Sequence, residues 1–306
     1  MSQLHVFDRE KREAFTASTE NVGAERDFNR IDIDGYEPDS IETALGQFES
    51  QVAPALERTV KKGAFQDEHD RAAILNLIAL FAIRNPRVRA TFRDFQERTM
   101  KQILGVILAT KERWEAHEKR MREAGYLTDE QVISYEDMYS FYKRDEYNIS
   151  LNQEYNIGLE FKSFDSLLPH FFRRRWIVLE AERSAGGFIT SDHPVTLTWS
   201  DPKMRKTFLP PGFGLKCTQV VFPLSHQIAL VGAFELQEDS FPVPDFDVAA
   251  INGAAIISAR RQVYARDLNF RYILNDQKGI RKGSKLIDDP IFRERPSSSD
   301  MKRGTV

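Results

Sequence analysis

The stretch FFRRRWIVLEA, residues 171–181, holds the change of pattern that decides the fold. Up to Arg174 the spacing is helical, and a short helix is expected over 164–174. From Trp176 to Ala181 an almost unbroken apolar, β-branched-rich run reads as a strand. Further strands are expected downstream at 188–190, 195–199, 219–222 and 228–233. The Ser184-Ala185-Gly186-Gly187 segment suits a hairpin turn between the first two. Pro210-Pro211-Gly212-Phe213-Gly214 is a restricted loop. Helical spacing returns over 247–264 through Ala250, Ile251, Ala254, Ile257, Ser258 and Arg261. Small residues there (Ala249, Ala250, Gly253, Ala254, Ala255) permit close packing on a sheet. Residues 276–306 are strongly charged and poor in apolar side chains, so a disordered tail is expected.

Upstream of the change the chain is mostly helical. Residues 3–17 read as a β-hairpin with a charged turn from Asp8 to Arg12, and 21–36 as polar loop. Asp39 and Glu42 have capping-box spacing at the start of a helix. Its stripe is Ile41, Leu45, Phe48, Val52 and Leu56, with Pro54 inside it. The run AAILNLIALFAI, residues 72–83, lies in a helix over 67–84 that is apolar nearly all round, which places it centrally. Asn85-Pro86 breaks it. One long helix should follow to about 123, and another from Thr128 to 144. The expected fold is α+β: a helical N-terminal region packed on a smaller, mostly antiparallel β-sheet, with a late helix. It reads as one integrated domain over 1–275, helix-rich over 37–175 and β-rich over 176–275.

Composition excludes several functions. Lys and Arg number 43 against 46 acids, a formal charge of −3, which argues against a nucleic-acid coat or a polybasic membrane binder. The 72–83 run is too short to span a bilayer, and the start shows no signal-peptide core. Cys217 is the one cysteine, so an intrachain disulfide and a cysteine zinc site are excluded. A cytoplasmic protein without a membrane partner is expected.

Several short motifs occur in a recognisable order: LHVFDREKREAF, TENVGAERDF, IETALGQFES, FAIRNPRVR, FITSDHPV, VFPLS and INGAAIISARRQVYA. Together they resemble the bacterial domain-of-unknown-function family 4238 over roughly residues 3–266. The resemblance implies kinship and a fold, and carries no reaction. Family members begin with a His-Tyr-Val-Pro-like motif shortly before the first strand. This sequence starts at Gln3-Leu4-His5, almost inside that strand, so the motif is expected to be missing.

The residues with the most chemistry lie in Phe188–Val195, FITSDHPV. Here Asp192 is a candidate general base or metal ligand and His193 a candidate proton carrier. The opposing reading is turn chemistry: Ser-Asp before Pro bonds nearby backbone, and successive side chains on an extended chain diverge. Ser191, Glu49, Arg84 and Asn252 are candidate ligand-binding residues, Arg84 being suited to a carboxylate or phosphate. Each also has a structural reading, as a snorkelling or paired edge or as a satisfier of buried backbone. Ser225 and His226 lack a G-x-S-x-G elbow, and a triad of Ser225, His193 and Asp192 has no motif behind it. No metal motif occurs, although a Mg²⁺ site using Glu49 and Asp192 would leave little sequence trace. The glycines at 212 and 214, and at 279 and 283, lack the remainder of a dinucleotide or phosphate loop.

Two functional expectations follow. One is a polar pocket at the helix–sheet junction centred on Asp192 and His193, hydrolysing a phosphoester or related bond. The other is a non-catalytic module binding nucleic acid or protein, in a defence or toxin setting, through Arg173, Arg174, Arg175 and Arg261.

Overall fold

The computed structural model describes residues 3–22, 37–84, 86–128, 131, 133–145, 147, 149, 153–204, 207, 209–236, 241–274 and 279–294. Most of the expected 21–36 loop and the last part of the expected tail lie outside these residues. The chain divides into two compact units, one of residues 1–87 and 157–306, the other of residues 88–156.

The α+β class holds, with the helices mostly N-terminal and the sheets mostly antiparallel. In the first unit, β1 (Gln3–Asp8) and β2 (Glu13–Ser18) form the expected hairpin. Helix α1 (Ser40–Lys62) starts where the capping box suggests, yet Asp39 makes no side-chain cap bond. Helix α2 (Glu68–Ile83) is capped by Asp67, whose carboxylate accepts the Asp70 N–H. Arg58 locks α1 to α2 with two bonds to buried Asp70, Nε–Oδ2 at 3.0 Å and Nη2–Oδ1 at 2.6 Å. Ile74, Leu75, Ile78 and Ala79 of α2 are wholly buried, as an all-round apolar helix must be.

That helix packs on a five-stranded sheet ordered β5-β6-β7-β3-β8. Its strands are β3 (Arg175–Ala181), β5 (Thr196–Trp199), β6 (Thr218–Pro223), β7 (Ile228–Ala233) and β8 (Phe241–Val243). Among the described residues only the β3–β8 pairing of this sheet is parallel. Alternation along the strands sends Trp176, Val178, Val220, Phe222 and Leu230 toward α2. Ile177, Leu179, Val221 and Val231 face the opposite way, where Val248 and Ile251 of α7 (Asp245–Ser258) cover them. Both faces are buried, which accounts for the continuous apolar runs in β3 and β7.

Beyond α7 lies a second core and a second sheet ordered β2-β1-β9-β4. Ala255, Ile256 and Ala259 pack there with Phe7, Val263, Phe270, Tyr272, Leu286 and Phe292. The new strands are β4 (Thr190–Ser191) and β9 (Gln262–Ala265), and β10 (Arg271–Tyr272) pairs with β11 (Arg281–Lys282) as a separate ribbon.

Four expectations are corrected. The Ser184–Gly187 segment is no hairpin: β3 pairs with β7 and β8, while β4 pairs with β9 in the other sheet. Gly186 and Gly187 have φ of +73° and +84°, and a Cβ on either would lie 2.2–2.3 Å from a carbonyl oxygen of Asn269 or His226. They serve the passage of the chain between sheets. The late helix ends at Ser258 rather than near 264, because Gln262–Ala265 is claimed by β1 as a strand. The helix expected over 164–174 is the end of a longer α6 (Gln153–Phe172). The expected tail is ordered over 279–294, where Leu286 and Phe292 are wholly buried in the second core and α8 is Pro290–Glu294.

In the unit of residues 88–156 the expected single long helix is two, α3 (Pro86–Ile107) and α4 (Lys111–Glu123). Thr110 caps α4 by accepting the Arg113 N–H. The next helix begins later than Thr128: α5 is Tyr135–Arg144, with Ser134 as its cap. Trp114 donates its indole N–H to the Ile133 carbonyl, and Tyr135 its hydroxyl to that of Leu108, so the α3–α4 and α4–α5 connections are pinned.

Candidate functional site

Asp192 follows β4 directly, and both of its oxygens accept backbone N–H groups. Oδ1 takes Arg260 at 2.9 Å, and Oδ2 takes Arg261 at 2.7 Å and Gln262 at 2.9 Å. These groups lie where α7 gives way to β9, so the carboxylate draws out amides that a continuing helix would have used. Ser191 closes the adjoining turn, accepting the His193 N–H and donating to the His193 carbonyl. This is the side-chain-to-backbone turn chemistry of Ser and Asp before Pro.

Two residues at the end of β1 complete the junction. Arg9 is 6% exposed and donates to the carbonyls of Ile256, Ala259, Arg260 and Phe292, capping the C-terminal end of α7. Asp8 is wholly buried and accepts from the Arg261 guanidinium, the Gln262 amide and the Lys11 N–H. Burial would raise its carboxyl pKa, but the hydrogen bonds from Arg261 and Gln262 outweigh this and hold it below the usual value. Asn252, wholly buried on α7, accepts the Ile189 N–H and donates to the carbonyls of Gly187 and Arg271. Segments DR (8–9), SD (191–192) and RRQ (260–262) therefore meet in one network, and its bonds run largely to backbone.

A different arrangement surrounds Arg84. It is the residue that stops α2, its N–H bonded to the Leu80 carbonyl. Its side chain, 12% exposed, faces Glu160 of α6, 4% exposed, with Nε and Oε2 3.9 Å apart. Around the pair, Ile41, Leu80, Ile83, Ile157, Phe161 and Phe164 line a cleft of about 260 Å³ counted out to open solvent. The enclosed part has room for about one water molecule. A charged pair removed from water and walled by apolar side chains can orient a small polar ligand by charge while its apolar part rests on the wall.

The expected site residues thus separate. Arg84 is in the cleft with Glu160. Asp192, Ser191, His193 and Asn252 belong to the junction and its turn. Glu49 is exposed on α1. Ser225 accepts the N–H groups of Gln227 and Ile228, and the His226 ring meets the Arg266 guanidinium. Burial, then the Arg266 charge, lowers the His226 pKa. Among the basic candidates Arg173 and Arg175 are exposed, and Arg261 is paired with Asp8 and Glu10. Arg174 is wholly buried, donating to the Thr218, Gly232 and Phe213 carbonyls and the Thr218 hydroxyl. Burial lowers its pKa to about 10, so it stays charged at neutral pH. Among the described residues no group of three His, Cys, Asp or Glu could hold a metal ion, and no helix is long and apolar enough to cross a membrane.

Sequence reasoning missed Glu160, Asp8 and Arg9. Glu160 had a signal: Ile157, Glu160, Phe161 and Phe164 share one helical face, so an acid stands in an apolar stripe. Asp8 and Arg9 read as part of a charged turn, and apart from the Lys11 N–H the partners described above lie some 250 residues or more away in the chain.

Comparison with known families gives a match over residues 1–269 to the family described as "Protein of unknown function (DUF4238)". No curated protein and no solved structure matches.

Proposed function

We infer that the chain, which belongs to the DUF4238 family, acts by binding a small ligand in the Arg84–Glu160 cleft rather than by hydrolysis at Asp192. The observation that carries this reading is the charged pair itself. Taking an arginine and a glutamate out of water costs several kcal/mol per ion, and a fold seldom needs such a pair for stability. Placed in a cleft walled by six apolar residues, the pair has the composition of a ligand site.

The hydrolytic reading draws less support. A general base needs a free lone pair aimed at substrate, whereas Asp192 directs its oxygens at three backbone N–H groups. The nucleic-acid reading is likewise weakened, since Arg174 is inside the protein and Arg261 neutralises Asp8. A cytoplasmic, bacterial setting is part of the proposal.

The test is a thermal-shift screen of the full chain against small organic anions, cations, zwitterions and neutral compounds. Saturable stabilisation by one class, abolished when Ile41→Trp fills the cleft, supports the reading. Stabilisation by no class, or by one indifferent to Ile41→Trp, overturns it.

A further inference from the structure

We propose that the chain forms a two-fold dimer by adding strand β2 of one copy to strand β2 of a second. The proposal concerns the second sheet and is independent of the Arg84–Glu160 cleft.

Among the described residues β2 stands at the end of the sheet ordered β2-β1-β9-β4, with β1 as its one neighbour. Glu13, Ala14, Phe15 and Thr16 are all exposed, so neither face of the strand is covered along most of its length. An open edge presents unpaired N–H and C=O groups, and proteins commonly blunt it with proline, lysine or a bulge. In EAFTAS, residues 13–18, there is no proline or lysine. All six residues pair in unbroken register with β1, which leaves no bulge. The opposite edge of the sheet, β4, is two residues long. Addition at β2 therefore closes on two copies and does not propagate.

The charges select the occupant. Around the hairpin turn Lys11 pairs with Glu13 at 3.5 Å, and Glu10 with Arg261. Arg12 and Glu20, both exposed, flank β2 at its two ends, and neither has an ion pair among the described residues. Two copies of one strand related by a two-fold axis run antiparallel. Alternate residues supply the bonding groups of one edge, so the axis passes through a residue. An axis through Phe15 would oppose that ring with itself and bring Glu10 toward Glu20 of the second copy, acid against acid. An axis through Thr16 opposes Thr16 with itself, Phe15 with Ala17, and Arg12 with Glu20 on both sides. Arg12 and Glu20 each stand four residues from Thr16, about 13 Å along an extended strand. Paired threonines and opposite charges are favourable cross-strand neighbours. The Phe15 ring, 37% exposed, gains a small residue beside it. A second copy supplies by symmetry both an acid for Arg12 and a base for Glu20. An unrelated extended peptide offers the ladder without that match.

The experiment is sedimentation equilibrium of the full chain over a wide range of concentration. The average mass is expected to rise from 35.3 kDa toward twice that value and no further. Thr16→Lys sets two like charges on the axis and should keep the chain monomeric, while its circular-dichroism spectrum stays that of the unmodified chain. Arg12→Glu and Glu20→Arg should each raise the dimer Kd about tenfold or more. The double variant restores both opposed pairs and should return to within about threefold of the unmodified chain. A monomer at every concentration overturns the proposal. So does a dimer indifferent to Thr16→Lys, a double variant as weak as the single ones, or growth beyond two copies.

Discussion

Replacing Asp192 separates a structural carboxylate from a catalytic one. Asp192→Ala removes the acceptors of three backbone N–H groups, at 2.7–2.9 Å. Hydrogen bonds to a charged group are worth about 1.5–3 kcal/mol each. The bond to Arg260 is exposed, so water replaces it, whereas those to Arg261 and Gln262 are partly buried and set the cost. The expected loss is about 3–5 kcal/mol, or on the order of 10 °C in melting temperature for a unit of this size. Asp192→Asn keeps one oxygen, enough for the two bonds now made to Oδ2, but turns an NH₂ toward Arg260. About half the loss is expected. Urea denaturation followed by circular dichroism measures both, with exposed Glu49→Ala as a control expected within about 0.5 kcal/mol of the unmodified chain. If both Asp192 variants also stay within about 0.5 kcal/mol, the carboxylate does not hold the α7–β9 junction, and the structural account of the FITSDHPV motif is refuted.

Three further outcomes are expected. The Asp8 carboxyl is held below its usual pKa in the folded state, so its contribution is present above the unfolded value and is lost as pH falls through the folded one. Asp8→Asn should therefore destabilise at pH 7 by an amount that shrinks below about pH 4, and a gap unchanged down to pH 3 in urea titrations would contradict this. Arg174→Lys should cost about 2–4 kcal/mol, because a single ammonium cannot serve the three carbonyls that the guanidinium fork spans. Arg173→Lys, on the exposed neighbour, should be nearly neutral by the same assay. A Cβ at Gly253 would stand 1.8 Å from the Ile273 carbonyl, so Gly253→Ala should cost at least about 3 kcal/mol, while Gly46→Ala, with open space around it, should be neutral or stabilising. Equal melting temperatures for these two variants would be inconsistent with the close approach of α7 and β10.

The readable parts of the fold were those governed by local chemistry. The all-apolar face of α2 and the alternation-free runs of β3 and β7 follow from side-chain period, and the hairpin expected over residues 3–17 from two short runs about a charged turn. Boundaries failed where a distant group decided them. Nothing near residue 259 announces that α7 stops; the stop is made by Arg9 and Asp192, from two other parts of the chain. The Gly186–Gly187 pair has the composition of a hairpin turn and acts as a crossing between sheets, because the identity of the partner strand is not a local property. In the cleft, Arg84 was legible as a charge beside an apolar face. Glu160 was legible only once its stripe was drawn, since an acid at a core-facing position looks like any solvated acid until its neighbours are counted.

Strand β1 lies between β2, its immediate successor, and β9, which follows some 250 residues later. During synthesis the hairpin therefore leaves the ribosome with one edge open and keeps it so until residues 262–265 arrive. The contiguous segment 88–156 is made in the meantime and can acquire its helices first. The contact of Arg9 with the Phe292 carbonyl waits for a residue 283 positions further along the chain. Such wide sequence separation slows folding and lengthens the exposure of an unpaired strand edge. Fragments that stop before β9 should accordingly bring chaperone dependence and insolubility, even though the whole five-stranded sheet would already be encoded in them.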